Sequence, residues 1–380
     1  MSVSGSGPGR QDALRAAGDS GTTLTAAGGD RAGSPGGAGA GSGPRERLER
    51  VLVSPERVIR TIVGFRPFRP SGFRVDAEPL GDNKLLVHNY GHGGCGVTLS
   101  WGTAHLAADK VSESGRTGMA AVLGCGVVGL ATARLLQNRG FDVAIYAREL
   151  PPDTTSNTAG ASWYPHLIAD DTRRTAAFTA QFESAARLSH RYFQDLVGDD
   201  YGVRWRRQYF LSDAPAQDPW EYTLLSDLFR DSRRLRPSEH PFAAPHVLLD
   251  TTMFVEPAVY LSALLRDFHF AGGRLRVQTF NSPADVVALP EPIVVNCTGL
   301  GSRELFDDRE ITPVKGQLTV LLPQPEVDYA VATDDLYMFP RTDGIILGGT
   351  HERGVETREP DSAAERRILD GHRAIFGAMR

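Results

Sequence analysis

Three glycines at the spacing Gly124-x-Gly126-x-x-Gly129 form a pattern through which a main chain can receive a dinucleotide pyrophosphate. The first makes a tight turn, the second lets a phosphate approach the backbone, and the third lets helix and strand pack closely. A helix starting there adds unpaired N–H groups and a partial positive charge. Gly124, Gly126, Val127, Val128 and Gly129 are therefore candidate cofactor contacts. An acid about 20 positions further on should meet a ribose hydroxyl. Glu149 has that spacing from Gly129, but it falls past the expected strand end with Arg148 beside it. The arginine could take a cofactor phosphate, as in NADP enzymes, or the pair could serve a flavin dinucleotide. Spacing alone leaves both open.

Other reactive groups are fewer. Cys95, Cys125 and Cys297 lie far apart without metal-ligand spacing, which predicts reduced thiols, no disulfide framework and no metal. The run Arg204-Trp205-Arg206-Arg207-Gln208 could meet an acidic ligand, although arginines along a strand more often form a solvated face. His92, in a glycine loop, reads as a histidine satisfied by its backbone surroundings rather than as a base.

The elements that hold these groups follow from periodicity. Met119 to Leu123 reads as a short apolar strand, Leu130 to Arg139 as a helix ended by Gly140, and Val143 to Tyr146 as a second strand, so the glycine loop sits inside a βαβ unit. Upstream, Phe73 to Val75 and Leu85 to His88 read as strands around a turn at Gly81-Asp82-Asn83. The loop Gly91-His92-Gly93-Gly94-Cys95-Gly96 then precedes a helical pattern through Leu99, Ala104, Leu106, Ala107 and Val111. Glu46 to Arg60 has helix-like spacing, and two prolines and a glycine predict an extended turn over Gly64 to Pro70. Downstream, 170–196 reads as helix, 201–211 as strand, 258–270 as helix, 293–297 as a buried strand and 313–350 as several short strands.

Composition bounds the partners. With 41 basic and 46 acidic residues in 380, a formal charge of −5 leaves no cationic surplus for a nucleic acid or an anionic membrane. No apolar run approaches the roughly 18 residues of a membrane span, and no secretory signal is evident. The terminal Ala378-Met379-Arg380 is not a peroxisomal address, so a cytoplasmic protein is expected. Residues 1–45 hold 13 of the 41 glycines and no aromatic, which predicts a disordered tail.

Several stretches together resemble one family. Tyr146-Ala147-Arg148-Glu149-Leu150-Pro151, Thr154-Thr155-Ser156 and Ala159-Gly160-Ala161-Ser162-Trp163-Tyr164-Pro165 are similar to the segment after the second strand of FAD-dependent D-amino-acid oxidases. Val295 to Gly301 with Pro313 to Gln317 resembles their later cofactor strand, and Tyr337 to Arg341 with Gly348-Gly349-Thr350 their active-site tyrosine strand. Gly64-Phe65-Arg66-Pro67-Phe68-Arg69-Pro70 and His88 to Gly94 resemble their substrate-arginine segment and flavin-ring loop. In that family the last two segments follow the others, so the resemblance implies a circular permutation. The family's ends would be joined through Ser112 to Gly118, and new ends would open between Gly354 and Arg60.

The resemblance implies an α/β fold, with a Rossmann-like FAD domain interleaved with a mixed or antiparallel-sheet substrate domain. The implied division is 1–45 tail, 46–111 permuted segment, 112–118 connector and 119–168 FAD-binding βαβ. It continues with 169–292 mainly substrate domain, 293–302 FAD strand and loop, and 303–380 substrate-domain strands and a C-terminal helix. It implies FAD contacts at Arg148, Glu149, Thr154, Thr155, Ser156, Gly160, Ala161, Ser162, Thr298 and Gly299, and at Gly93, Gly94, Cys95, Gly96, Val97 and Thr98. At the reacting end it implies Arg66 clamping a carboxylate, the Tyr337 hydroxyl on the same carboxylate, and Gly94 in the loop against the ring. The implied reaction converts a D-amino acid, by hydride transfer to FAD, to a 2-oxo acid, ammonia and, with molecular oxygen, hydrogen peroxide. Neutral substrates are expected over acidic ones, in an open pocket with only Asp328 to Leu336 available as a lid. A homodimer is an open expectation. Rival readings are a glycine or sarcosine type amine oxidase, an NADP reductase, and a reordered chain without flavin.

Overall fold

The computed structural model describes residues 47–215 and 218–380, so the expected 1–45 tail lies outside the described residues. In chain order the strands are β1 (Val58–Phe68), β2 (Arg74–Leu80), β3 (Lys84–Tyr90), β4 (Met119–Leu123), β5 (Asp142–Ala147), β6 (Val203–Ser212), β7 (Arg230–Leu235) and β8 (His246–Val255). There follow β9 (Arg274–Val277), β10 (Ile293–Asn296), β11 (Thr312–Leu321), β12 (Ala330–Ala332), β13 (Tyr337–Arg341), β14 (Gly344–Gly348) and β15 (Glu352–Arg353). The long helices are α1 (Gly96–Glu113), α2 (Val127–Asn138), α3 (Ala176–Asp195), α4 (Pro257–Phe270) and α5 (Ser362–Gly377).

The strands divide between two sheets. One has the order β2-β3-β10-β4-β5-β9 and is parallel except for β2. Its central strands β4, β5 and β10 are almost continuously apolar and buried, as expected where helices cover a parallel sheet. The second has the order β1-β11-β14-β13-β12-β6-β8-β7, with β15 on β11, and is antiparallel except for β12 against β6. The chain enters the second sheet first, passes to the parallel sheet, and then alternates between them. The Rossmann-like unit is thus interleaved with a mixed sheet, as expected.

Two local readings need correction. Residues 47–54 are irregular, and a short 3-10 turn at Pro55–Arg57 leads directly into β1. Pro55 starts that turn, and the β-branched Val58, Ile59, Thr61, Ile62 and Val63 favour a strand over the expected helix. Val51 is buried because it packs into the core beside Tyr329 and Met379, not because it lines a helix face. The segment from Gly64 is not a turn either, because β1 runs through Phe68 and pairs with β11 from Val58↔Leu321 to Phe68↔Thr312. Pro67 is tolerated near the end of this edge strand, where a missing N–H costs least.

Candidate active site

Between the sheets lies a cavity of about 910 Å³, within the roughly 300–1,000 Å³ usual for ligand and cofactor sites. It runs from the carboxyl ends of β4, β5 and β10 to the inner face of the second sheet. Of the sequence-predicted site residues, all but Gly129 and Cys95 lie on its wall.

The nucleotide end is built from main chain. Gly124 has φ +107, and a Cβ there would fall 2.6 Å from the Cys297 carbonyl oxygen, so only glycine suits the turn. On Gly129 a Cβ would lie 2.1 Å from the Gly124 carbonyl oxygen, which puts its role in packing α2 under the loop rather than in the wall. Gly126 differs, since a Cβ there would meet only the Ser156 Oγ at 3.0 Å, leaving its backbone open to the cavity. No side chain caps α2 at Gly126, and the Val127 N–H donates to Ser156 Oγ at 2.9 Å. Arg148 and Glu149 both line this end and pair at 3.2 Å. Thr298 is ordered by Asn296, whose Oδ1 accepts from the Thr298 main-chain N–H at 3.1 Å and from its hydroxyl at 2.7 Å. Asn296 is fully buried and was not among the predicted contacts, although its place between strand and loop marks a residue able to brace both.

A second helix also points its start at the cavity. α1 has no side-chain cap, and Gly96, Val97 and Thr98 in its first turn line the wall. A Cβ on Gly96 would meet nothing within 4 Å. Cys95 is different. Its thiol is buried and turned away from the cavity, donating to the His166 carbonyl at 2.7 Å and accepting from the His166 N–H at 3.0 Å, and burial pushes its pKa well above the usual thiol value. Its expected contact with a cofactor is therefore not made by the side chain. Two uncapped helix starts and an open glycine cradle on one cavity suit a long ligand with a pyrophosphate at one end and a ring system at the other.

The substrate end is built from side chains laid over glycine. Arg66 extends from β1 over β11, where a Cβ on Gly316 would lie 2.5 Å from its Nη1. Tyr337 lies over β14, where a Cβ on Gly348 would lie 2.0 Å from its Cζ. Leu318 is the partner of Gly348, so Gly316 and Gly348 are diagonal neighbours on one face, roughly 7–8 Å apart. The guanidinium and the phenol thus approach from opposite flanks across a bare floor of two glycines. Arg66 forms one protein hydrogen bond, Nη1 to the Thr350 carbonyl at 3.2 Å, and no ion pair among the described residues. Arg69, three positions on, is saturated by Asp308, Glu310, Ser71 and the Gly72 carbonyl. Beyond its bond to Thr350, the Arg66 guanidinium on the cavity wall meets no protein acceptor among the described residues.

On the same cavity wall stand residues missed in the sequence: Tyr164, His166, Gln208 and His351. His166 and His351 face each other with ring centroids 6.3 Å apart. Both residues are exposed on the cavity wall, and desolvation by the surrounding protein, then the Arg66 charge, lowers the pKa of both imidazoles to about 4. Gln208 is buried and accepts from the Ser162 hydroxyl at 2.9 Å. Tyr164 packs with Phe210, Tyr222 and Phe229, and burial raises its pKa. The neighbouring arginines turn elsewhere: Arg204 pairs with Glu256 and Asp199, and Arg206 donates to the Asp328 carbonyl at 3.2 Å. His92 is buried, bonded to Thr103 Oγ1 at 2.9 Å, with its pKa lowered by burial to about 3: a satisfied loop histidine, whose partner is a side-chain hydroxyl rather than the expected backbone.

Against known proteins, residues 11–110 and 119–379 match a family described as FAD dependent oxidoreductase. This chain belongs to that FAD-dependent oxidoreductase family. Within it, the D-amino-acid oxidase of Rubrobacter xylanophilus is 33% identical over 269 residues, covering 69% of this chain and 78% of the relative. A human D-aspartate oxidase is 30% identical over 260 residues, covering 67% and 74%. Among solved structures, glycine oxidase from Bacillus cereus has a TM-score of 0.51 at 16% identity, covering 68% of this chain and 78% of that one; at that identity the likeness is one of fold. As a member of this FAD-dependent family the chain uses FAD, and the glycine cradle and uncapped helix starts fit that cofactor.

Proposed function

We propose that this chain catalyses the oxidative deamination of D-amino acids to 2-oxo acids, ammonia and hydrogen peroxide, with FAD as cofactor and molecular oxygen as co-substrate. The observation that carries the proposal is the unpaired Arg66 facing Tyr337 over Gly316 and Gly348, in a cavity continuous with the dinucleotide loop. The named D-amino-acid oxidase relatives give the substrate class. FAD, when bound, supplies the two-electron acceptor.

The chain's own residues do the rest. Arg66 takes the substrate carboxylate through charged hydrogen bonds that fix both position and plane. Tyr337 offers its hydroxyl to the same carboxylate, and stacking on Phe339 at 4.8 Å holds its ring. The apolar surround of Leu318, Leu336 and Phe339 excludes water and strengthens these bonds. The loop Gly93 to Gly96 and the start of α1 would hold the ring system, with Gly94 packed against His166. Gly124 to Val128, Arg148, Glu149, Thr154 to Ser156, Gly160 to Ser162, Thr298 and Gly299 would hold the remainder. These assignments leave Arg66 as the cation facing the substrate carboxylate. Arg204 and Arg206 are engaged elsewhere, and Arg358, over Phe65 at 5.8 Å, lines the cavity wall. With the Arg204 and Arg206 side chains turned away from the cavity, neutral D-amino acids are favoured over acidic ones. The turn Thr333 to Leu336 forms part of the wall and supports a short lid over an open pocket.

The test is peroxide release by the yellow holoenzyme with D-alanine, D-aspartate, L-alanine and N-methylglycine. D-alanine should lead; a preference for N-methylglycine would make the protein an amine oxidase of the glycine type instead. The family match falls in two stretches on either side of 112–118, which accords with a permuted order, and the domain boundaries given above are part of the same reading. Among the described residues no helix is long and apolar enough to cross a membrane. A cytoplasmic setting and a homodimer belong to the same reading, the latter checked by sedimentation.

A further inference from the structure

We infer that Nε2 of His166 is the acceptor that fixes the α-amino group of the substrate, an assignment that rests on the D-amino-acid reading above. Three constraints set this nitrogen in place. The main chain of His166 is gripped at both its N–H and its carbonyl by the Cys95 thiol, at 3.0 and 2.7 Å, so the residue cannot shift without unseating a buried group. Its Nδ1 lies 3.3 Å from the Tyr164 carbonyl, a contact favourable only if Nδ1 carries the proton and donates. That tautomer leaves Nε2 with a lone pair and no proton. Nε2 in turn lies against the loop at Gly94, where a Cβ would come within 2.9 Å of it, and no protein donor reaches it among the described residues.

The position suits an amine. The α-nitrogen of an amino acid is attached to the carbon that bears the carboxylate, so whatever binds it must share the end of the cavity that holds Arg66. His166 does so, since Arg66 bonds to the Thr350 carbonyl and the next residue, His351, sets its ring centroid 6.3 Å from that of His166 on the same cavity wall. An acceptor here must also stay neutral, because an imidazolium has no lone pair and would repel an ammonium group. Desolvation by the loops packed around it, and then the Arg66 charge, lower its pKa to about 4. The groups that face it are Arg66 from β1, His351 beyond β14, the Tyr164 carbonyl on its own segment and Cys95 from the loop before α1. None is an acid that would draw a proton onto the ring. Asp334 and Asp335 are anionic acceptors near this end, but both are exposed at the turn between β12 and β13. Cys95, expected to touch the cofactor, is on this account a positioning residue for His166.

The experiment compares benzoate with 2-aminobenzoate, two planar carboxylates that differ by an amine beside the carboxylate, titrated into the holoenzyme and followed by perturbation of the flavin spectrum. The unaltered protein should bind 2-aminobenzoate more tightly. His166→Phe or His166→Leu should lower affinity for 2-aminobenzoate by roughly tenfold, the worth of one lost hydrogen bond, with benzoate changed less than about twofold. His166→Gln, which restores an acceptor, should recover part of the preference, and retained flavin in any one of these variants shows that the site is assembled. A preference that survives His166→Phe and His166→Leu, or that disappears in Asp335→Asn instead, overturns the assignment. Arg66→Ala provides the separate control: it should weaken both ligands, and if benzoate binds as before, the carboxylate-clamp reading fails independently of His166.

Discussion

The two ends of the cavity are built on opposite plans. At the nucleotide end the groups that meet a ligand are backbone N–H groups, exposed by glycines and by uncapped helix starts. At the substrate end they are side chains from strands far apart in sequence, brought together over Gly316 and Gly348. Main-chain sites are encoded locally, because a turn and the start of a helix need only neighbouring residues. A convergent side-chain site is encoded in register and topology. The difference predicts that changes at one end should remove the cofactor, whereas changes at the other should remove substrate handling and leave the protein yellow.

The largest effect is expected from Gly129→Ala. Its Cβ would fall 2.1 Å from the Gly124 carbonyl oxygen, which neither backbone can relieve. Flavin content, read as the ratio of visible to ultraviolet absorbance, should collapse, and a fully yellow variant would break the comparison. Arg66→Ala should retain its flavin and lose about 10²- to 10³-fold in kcat/KM, on the order of 3–4 kcal/mol, since a charged partner is left without its clamp. Arg66→Lys should recover only part of this, because an ammonium cannot bind a carboxylate in two parallel bonds.

Gly348→Ala should follow, with a loss of about 10- to 100-fold in kcat/KM, from pushing the Tyr337 ring into the cavity at a cost of roughly 1–3 kcal/mol. Tyr337→Phe should be milder, about three- to tenfold, because it removes a single hydroxyl hydrogen bond. If the two are equal, the glycine floor has no role of its own. Acid stability reports on the junction between the two ends, where His92 bridges to Phe68 of β1. Its pKa is about 3 in the fold against an ordinary 6.5, so the unfolded chain binds the extra proton. Its contribution is complete above pH 6.5 and is lost as pH falls from there toward 3. Chemical denaturation across that window should show a slope shallower by up to about one proton in His92→Gln. The smallest effect belongs to Arg206→Ala, which should leave the ratio of D-alanine to D-aspartate activity within about twofold, as for a side chain outside the site. A marked fall in D-aspartate turnover would extend the substrate end toward β6.

Some of this was present in the order of residues alone. The βαβ unit appears where the periodicity places it, with β4 at Met119–Leu123 and α2 starting a turn earlier than the apolar pattern suggests, at Val127. Short apolar runs bounded by glycine have few alternatives, which is why the fold class and the dinucleotide loop were legible. The stretch before Arg60 was not, because helix-like spacing over so few residues carries less weight than a proline and a run of β-branched side chains. Residue type and spacing did not rank Arg66 against Arg69, which occur in one motif with the same flanking proline; only the family resemblance singled out Arg66. Their difference is that Asp308 and Glu310, some 240 positions away, reach only the second.

The amino-acid order by itself determined the glycine loops, the helix starts and the thiols that stay reduced, since these depend on local conformation and on residue type. Tertiary structure alone decided which arginine is unpaired, that Gly316 and Gly348 make the floor beneath Arg66 and Tyr337, and that the Cys95 thiol holds His166 rather than a cofactor. Those outcomes depend on which strands become neighbours and in what register, and register is settled by the packing of whole sheets rather than by any segment read alone.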